Sequence, residues 1–271
     1  MIKLLRANLT RIFKSVTFWI IFSLYILYSV FLPVILHSVF DDQSLAETST
    51  ESILALGYGI VGFPVQGVLI AIMCCIIFGL DFQNGTLRNK IILGHSRSRI
   101  YTADFLTISI ISLAMNAVYL LAFLMISLPL FGKFTIPPKD IILLIIDGTF
   151  MLLAYSATYT FVALVCKNPI ISIIISIALF ALGMILITVF ADIINEAQYL
   201  VVVSDDLIVP DMPSKSLIGF SEFMLDFFPS GQSFQIANNN IFKWQMPLYS
   251  LIVIGVTNGA GIMIFNKVNI K

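Results

Sequence analysis

Residues 16–36 read Val-Thr-Phe-Trp-Ile-Ile-Phe-Ser-Leu-Tyr-Ile-Leu-Tyr-Ser-Val-Phe-Leu-Pro-Val-Ile-Leu, 21 positions without a Lys, Arg, Asp or Glu. A helix rises about 1.5 Å per residue, so roughly 20 such residues cross the ~30 Å hydrocarbon layer of a bilayer. Lys3, Arg6, Arg11 and Lys14 precede the run, as they would in a secretory signal. Its length, and Phe18, Trp19, Tyr25 and Tyr28 within it, exceed the ~7–15 residues of a signal core, so it reads as a retained membrane helix.

Working outward, five more long apolar runs follow at about 60–80, 106–130, 141–166, 170–191 and 247–265, and only 141–166 carries a formal charge, Asp147. The whole composition agrees: 271 residues, 59% hydrophobic and 11% charged, with a mean hydropathy of +1.01. A soluble chain carries charge on about a quarter of its residues. The expected fold is therefore a single all-α integral membrane domain, residues 1–271, with six transmembrane helices.

The zero net charge, 15 Lys+Arg against 15 Asp+Glu, excludes a polybasic nucleic-acid binder on composition. It also conceals an asymmetry. With the N-terminus inside and the chain alternating at each span, 11 Lys and Arg fall inside and 4 outside; Asp81 and Asp104 are the acids inside, and 12 acids lie outside. The two faces carry +9 and −8, with Asp147 supplying the last −1. Positive charge collects on the cytoplasmic side of membrane proteins, so both termini are expected in the cytoplasm of a multi-pass cell-membrane protein. The acidic outer face suits cationic partners.

Loop lengths differ strongly. Lys167-Asn168-Pro169 alone joins the fourth and fifth spans, a tight hairpin, whereas an extracellular segment of about 192–246 precedes the sixth. Within that segment Leu217, Ile218, Phe220, Phe223, Met224, Leu225, Phe227 and Phe228 form an apolar stretch broken at Pro229-Ser230-Gly231. It fits either a small helix packed on the bundle or a re-entrant helix that gates it. At the other end of the chain, residues 1–15 place Ile2, Leu5, Leu9, Ile12 and Phe13 near one face, the pattern of an amphipathic interfacial helix.

The segment between the second and third spans carries the most information: Asp81-Phe82-Gln83-Asn84-Gly85-Thr86-Leu87-Arg88-Asn89-Lys90-Ile91-Ile92-Leu93-Gly94-His95-Ser96-Arg97-Ser98-Arg99-Ile100-Tyr101. Leu87, Ile91 and Ile92 recur at helical spacing with Arg88, Asn89 and Lys90 between them, predicting a short basic amphipathic helix. Thr86 or Asn84 suits its N-cap and Gly94 its C-terminal end. A basic loop attracted to anionic lipid headgroups fits the same composition.

Acidic-aromatic-x-x-Gly-Thr, a basic and apolar run, then Gly94-His95-Ser96-Arg97 and Ile100-Tyr101 resemble the first cytoplasmic loop of ABC-2 type exporter permeases. The likeness is strongest to small Gram-positive permeases of bacteriocin, lantibiotic and bacitracin resistance, and Phe228-Pro229-Ser230-Gly231-Gln232 resembles an element of their outer loop. The match departs at Asp81, where Glu is commoner in the family. The resemblance implies a coupling helix within 84–98, with Gly85, Thr86, Arg88, Asn89, Lys90, Gly94, His95 and Arg97 meeting a separate ATPase subunit, two copies of which bind ATP and Mg. In this picture Arg88, Lys90 and Arg97 pair with the partner's acids, while Asn89 and His95 hydrogen-bond to it. It further implies a second permease, identical or related, and an amphipathic antimicrobial peptide or hydrophobic compound as cargo.

No nucleotide site is expected in the chain itself, because the Gly132-Lys133 pair is followed by Phe134 rather than Ser or Thr. No catalytic residues, cofactor or metal are assigned either. Cys74, Cys75 and Cys166 lie in apolar runs rather than in a spaced polar set. An intramembrane hydrolase would need a Ser–His pair at depth, yet His37 and His95 fall at opposite faces. An ATP-independent secondary transporter or channel is the main alternative; it would show inverted repeats or mid-membrane charges.

Asp147, Asn116, Phe228 and Pro229 are the candidate pathway or gate residues. Asp147 sits near the outer end of its span, where it reads either as a structural or vestibule-lining group in reach of interfacial water or as a substrate or gating group. Asn116 and Gln66 read as interhelical hydrogen-bonding partners. Pro33, Pro64 and Pro129 are expected to end or kink helices, and the pairs Gly57/Gly59 and Gly255/Gly259, with Gly62, to permit close helix approach.

Overall fold

A computed structural model describes residues 1–39, 48–59, 64–203, 213–239 and 243–267. Among them the chain is helical, without a strand: α1 (Ile2–Phe13), α2 (Val16–Val39), α3 (Thr50–Tyr58), α4 (Val65–Gln83), α5 (Thr86–Ile92), α6 (Arg97–Phe131), α7 (Pro138–Cys166), α8 (Pro169–Val203), α9 (Lys215–Phe227), α10 (Pro229–Asn239) and α11 (Met246–Lys267). Six of these, α2, α4, α6, α7, α8 and α11, are long and apolar enough to cross a bilayer, which makes the chain a multi-pass membrane protein.

Helix ends depart from the ends of the charge-free runs. α4 begins at Val65 after Pro64, and residues 60–63 of the expected span lie outside the described residues, as do Gly62 and positions 204–212, 240–242 and 268–271. α6 starts at Arg97 rather than at 106, and α8 runs to Val203 rather than to 191. At 35 residues each, both exceed the roughly 20 that hydrocarbon requires. Charge-free length marks where lipid touches the chain; a helix continues past it wherever its polar residues find water or a partner.

The α7–α8 hairpin shows how few residues a reversal needs. Lys167 takes a left-handed φ of 59° and ends α7; Asn168 accepts from the N–H of Ile170 at 2.9 Å, and Pro169 occupies the first helical position of α8. A Cβ on Gly79 would stand 2.5–2.6 Å from Pro169 atoms, so a glycine there lets α4 pass the turn. Pro33 and Pro129, by contrast, lie within α2 and α6, which continue past them.

α7 sits at the centre and packs on α4, α6, α8 and α11. Seams of the bundle are made by tyrosines seated on glycines: on α7 the Tyr58 ring on Gly148 and Tyr155 on Gly67, and on α6 Tyr119 on Gly57 and Tyr101 on Gly261. With no hydrophobic drive between helices in lipid, close packing of large rings against bare backbone supplies the attraction. Gly59 is likewise covered, by Ser233. Gly255 and Gly259 have no close helix neighbour among the described residues, where a Cβ on either meets nothing within 4 Å.

The segment 192–246 is mostly helical where described. Ser214 caps α9 by accepting from Leu217 N–H at 3.3 Å. The break falls at Phe228, whose backbone is extended (φ −82°, ψ 136°), and Pro229 starts α10 rather than ending α9. Gly231 closes this hairpin, since a Cβ there would lie 2.7 Å from Leu225 Cα. α10 packs on α3, α7 and α8, and Ser233 Oγ donates to the Tyr58 carbonyl at 2.9 Å.

Candidate functional site

The residues of the basic segment come together at the end of the bundle that holds α1. α4 ends there at Asn84, and Gly85, at φ +67°, is the N-cap of α5. Neither Thr86 nor Asn84 caps it, a correction with a simple cause: the chain reverses so tightly after α4 that a left-handed residue is needed at that point. Gly94, at φ +84°, takes the chain out of α5 as expected. The segment 84–98 is thus no single helix; α5 covers 86–92, Leu93 and Gly94 form a turn, Ser96 is the extended N-cap, and Arg97 opens α6.

Lys90 overturns the expectation that it faces a partner. Its Nζ lies 3.1 Å from Asp104 Oδ1 and 3.5 Å from Asp81 Oδ2. Arg11 of α1 pairs with Asp81 Oδ1, and Asn8 Nδ2 donates to Asp104 Oδ1 at 2.7 Å and to Thr107 Oγ1 at 3.4 Å. Two carboxylates and two cations therefore cancel inside a knot that ties α1, α4, α5 and α6 together. Asp104 is 0% exposed. A charge that deep costs several kcal/mol of desolvation, by order of magnitude, which Lys90 and Asn8 offset at Oδ1, while Oδ2 has no hydrogen-bond partner among the described residues.

With Lys90 and Leu87 turned inward, the opposite face of α5 presents Arg88, Asn89, Ile92 and Leu93. Ile92 is 71% and Leu93 77% exposed, so the apolar face expected from Leu87, Ile91 and Ile92 is divided between bundle and surroundings. Arg97 also binds within the chain, its guanidinium donating to the Asn266 carbonyl at 2.8 Å, and Ser98 meets the Asn266 side chain at 3.1 Å. The first turn of α6 is thereby fastened to the last turn of α11. On α1, Leu4, Asn8 and Ile12 face the bundle, while Ile2 and Phe13 are exposed, which shifts the amphipathic face from the one the sequence suggested.

Asp81, Asp104, Asn8 and Arg11 were not among the expected site residues. A signal for two of them exists: Asp81 and Asp104 are the acids on the side the charge count makes basic, and they bracket the segment.

The opposite end, which holds α3, is organised by neutral hydrogen bonds as much as by charge. Lys243 bonds both Asp226 oxygens at 2.9 Å, and Gln235 donates to the same carboxylate. Gln232 Nε2 donates to the carbonyls of Asp226 and Met246 at 2.8 and 3.1 Å, and Ser250 donates to Gln232 Oε1 at 2.8 Å, fixing the α9–α10 hairpin to α11. Glu51 accepts from the Thr135 N–H at 3.2 Å on each oxygen and from the Thr135 hydroxyl, while Thr50 Oγ1 donates to Gly132 O at 2.6 Å. Burial acts to raise the Glu51 carboxyl, but hydrogen bonds from Thr135, its own backbone and Ser49 outweigh it and hold the group below the usual glutamate range.

The four candidate pathway residues do not meet in one place. Asn116 Nδ2 donates to Thr149 Oγ1 at 2.9 Å and its oxygen accepts from Tyr58 at 3.4 Å, making it an interhelical tie; Gln66 is another, accepting from Tyr25 at 2.6 Å and donating to Gly57 O at 2.9 Å. Phe228 and Pro229 border an apolar crevice. Asp147 is 1% exposed, beside the Lys243 backbone and near Asp226, and neither of its oxygens bonds a side chain among the described residues. It does not reach the surface, a correction to its reading as a group in touch with interfacial water. In comparisons with known proteins, no protein-family model matches the chain and no curated protein matches it.

Proposed function

We propose that this chain is the permease subunit of an ATP-driven exporter of ABC-2 type, a multi-pass protein of the cell membrane with both termini in the cytoplasm. The observation that carries the reading is the two-sided build of α5. One side is ion-paired through Lys90 to the end of one span and the start of the next; the other offers Arg88, Asn89, Ile92 and Leu93. A force applied to the outward side reaches α4 and α6 together, because the knot leaves the short helix no independent motion. Exposed apolar residues beside an arginine also suit a protein surface better than lipid headgroups alone.

ATP and Mg²⁺ are bound by a partner ATPase, present in two copies, and a second permease, identical or related, completes the path. The cargo is an amphipathic antimicrobial peptide or a similar hydrophobic compound. The chain is no enzyme by itself. Phe134, standing after Gly132-Lys133 where a phosphate loop needs Ser or Thr for Mg²⁺, supports that reading.

Purification from native membranes tests it. An ABC ATPase should co-purify with the unaltered chain, and Arg88→Glu with Ile92→Asp should lower its recovery and the coupled ATP turnover at least tenfold without altering the permease's own thermal stability. Transport that persists with no ATPase present would overturn the reading and favour an ATP-independent secondary transporter or channel.

A further inference from the structure

Spans α8 and α11 both lean on the bundle, α8 through α4 and α7 and α11 through α6 and α7, but they hardly touch each other. Between them lies a crevice of about 370 Å³, within the range of small-molecule sites. Its floor is Tyr155, Thr158 and Tyr159 of α7, its walls come from α8 and α11, and its roof is the Phe227–Gly231 turn of the α9–α10 hairpin. The roof rests directly on the α8 wall: a Cβ on Gly183 would stand 3.1 Å from Ser230 Oγ.

Among the described residues no charged side chain lines this space. At its mouth Leu179, Leu182, Leu186 and Val256 are exposed, and they belong to the apolar belts of two membrane spans. The crevice is therefore continuous with the hydrocarbon-facing surface and opens sideways into it, closed above by the hairpin. Only molecules already dissolved in the hydrocarbon reach such a mouth. The walls offer them dispersion contacts and stacked aromatic rings, Tyr159 and Phe180 with centroids 4.9 Å apart behind the floor.

We infer that this crevice is a lateral binding site for one acyl chain of a bilayer lipid, entered between α8 and α11 and roofed by Phe228 and Pro229. The site stands independently of any ATPase, since it rests only on the spans and their packing. A lipid seated there wedges α8 and α11 apart and supports the hairpin from below.

Photolabelling tests this. The full chain is reconstituted in vesicles of phosphatidylethanolamine and phosphatidylglycerol containing a phosphatidylcholine with a diazirine in its acyl chain, and adducts are mapped by mass spectrometry. Adducts should concentrate on the α8, α11 and 227–231 residues of the crevice, and should fall at least fivefold in Thr158→Trp and Val253→Trp, which fill it. Leu24→Trp, on the exposed face of α2, should leave them unchanged. Labelling spread over α2 and α11 in proportion to exposure and indifferent to filling would overturn the site. So would efficient disulfide formation between two copies carrying Leu182→Cys and Val256→Cys, which would show that a second copy covers the mouth. Should the tryptophan variants fail to fold, the adduct map of the unaltered chain still decides between these outcomes.

Discussion

The two ends of this bundle bury acids in opposite ways. At the α1 end, Asp81 and Asp104 are matched by Arg11 and Lys90, and four helices share the four charges. At the α3 end, Asp226 has Lys243 and Glu51 has Thr135, but Asp147 lies buried with no side-chain partner among the described residues. A matched knot makes its helices move as one body. An unmatched acid fastens nothing, so the helix that carries it is held by other contacts, here the seat of Tyr58 on Gly148 and the hydrogen bond from Asn116 to Thr149. The difference separates an end tied together by matched charges from one held by neutral hydrogen bonds and packing as much as by charge.

The largest effect is expected from breaking the knot. Asp104→Ala leaves Lys90 with only the longer contact to Asp81 and Asn8 with only Thr107, and should cost about 3–5 kcal/mol, read as thermal unfolding in detergent, whereas Asp104→Leu combined with Lys90→Met should recover most of that loss. Equal damage from single and double variants would mean that the knot is not a matched pair. The next effect tests packing near the same end. Gly79→Ala drives a methyl into the Pro169 backbone and should cost about 1–3 kcal/mol, while Gly255→Ala, which faces open space, should be neutral or stabilising by up to ~1 kcal/mol.

Two smaller effects belong to the α3 end. Glu51 is held below its usual value near 4.5, so its contribution to stability is fully present above that value and is lost as pH falls through the lowered one. A stability–pH curve should therefore drop on the acid side, and Thr135→Val should flatten that drop while costing about 1 kcal/mol at neutral pH. The smallest change is expected for Asp147→Asn, near zero or stabilising, because no side-chain bond is lost and a buried ionisable group is removed. A loss as large as that of Asp104→Ala would erase the distinction between the two ends.

How far the chain can be read without its fold depends on the range of the force involved. Residues 16–36 identify a membrane helix alone, since hydrocarbon penalises each unsatisfied polar group wherever the rest of the chain lies. Gly94 as the end of a helix is legible for the same reason, because a left-handed φ is a local cost that glycine avoids. Lys90 was misread because its direction depends on two acids, 9 and 14 positions away, that become neighbours only when α4, α5 and α6 pack. The glycines divide likewise: the spacing of Gly255 and Gly259 suggested a contact that the described residues do not make, and Gly261, which seats Tyr101, has no partner at that spacing.

The sequence by itself therefore determined the apolar spans, the tight turn at Lys167-Asn168-Pro169, and the basic segment between the second and third spans. Only the tertiary structure decided which way Lys90 and Ile92 face, which acids are matched, and that α8 and α11 stand apart around a crevice. Partition into hydrocarbon and backbone sterics act within a few residues, so they can be read along the chain. Burying a charge is permitted or forbidden by what packs beside it, and that is settled only when distant helices meet.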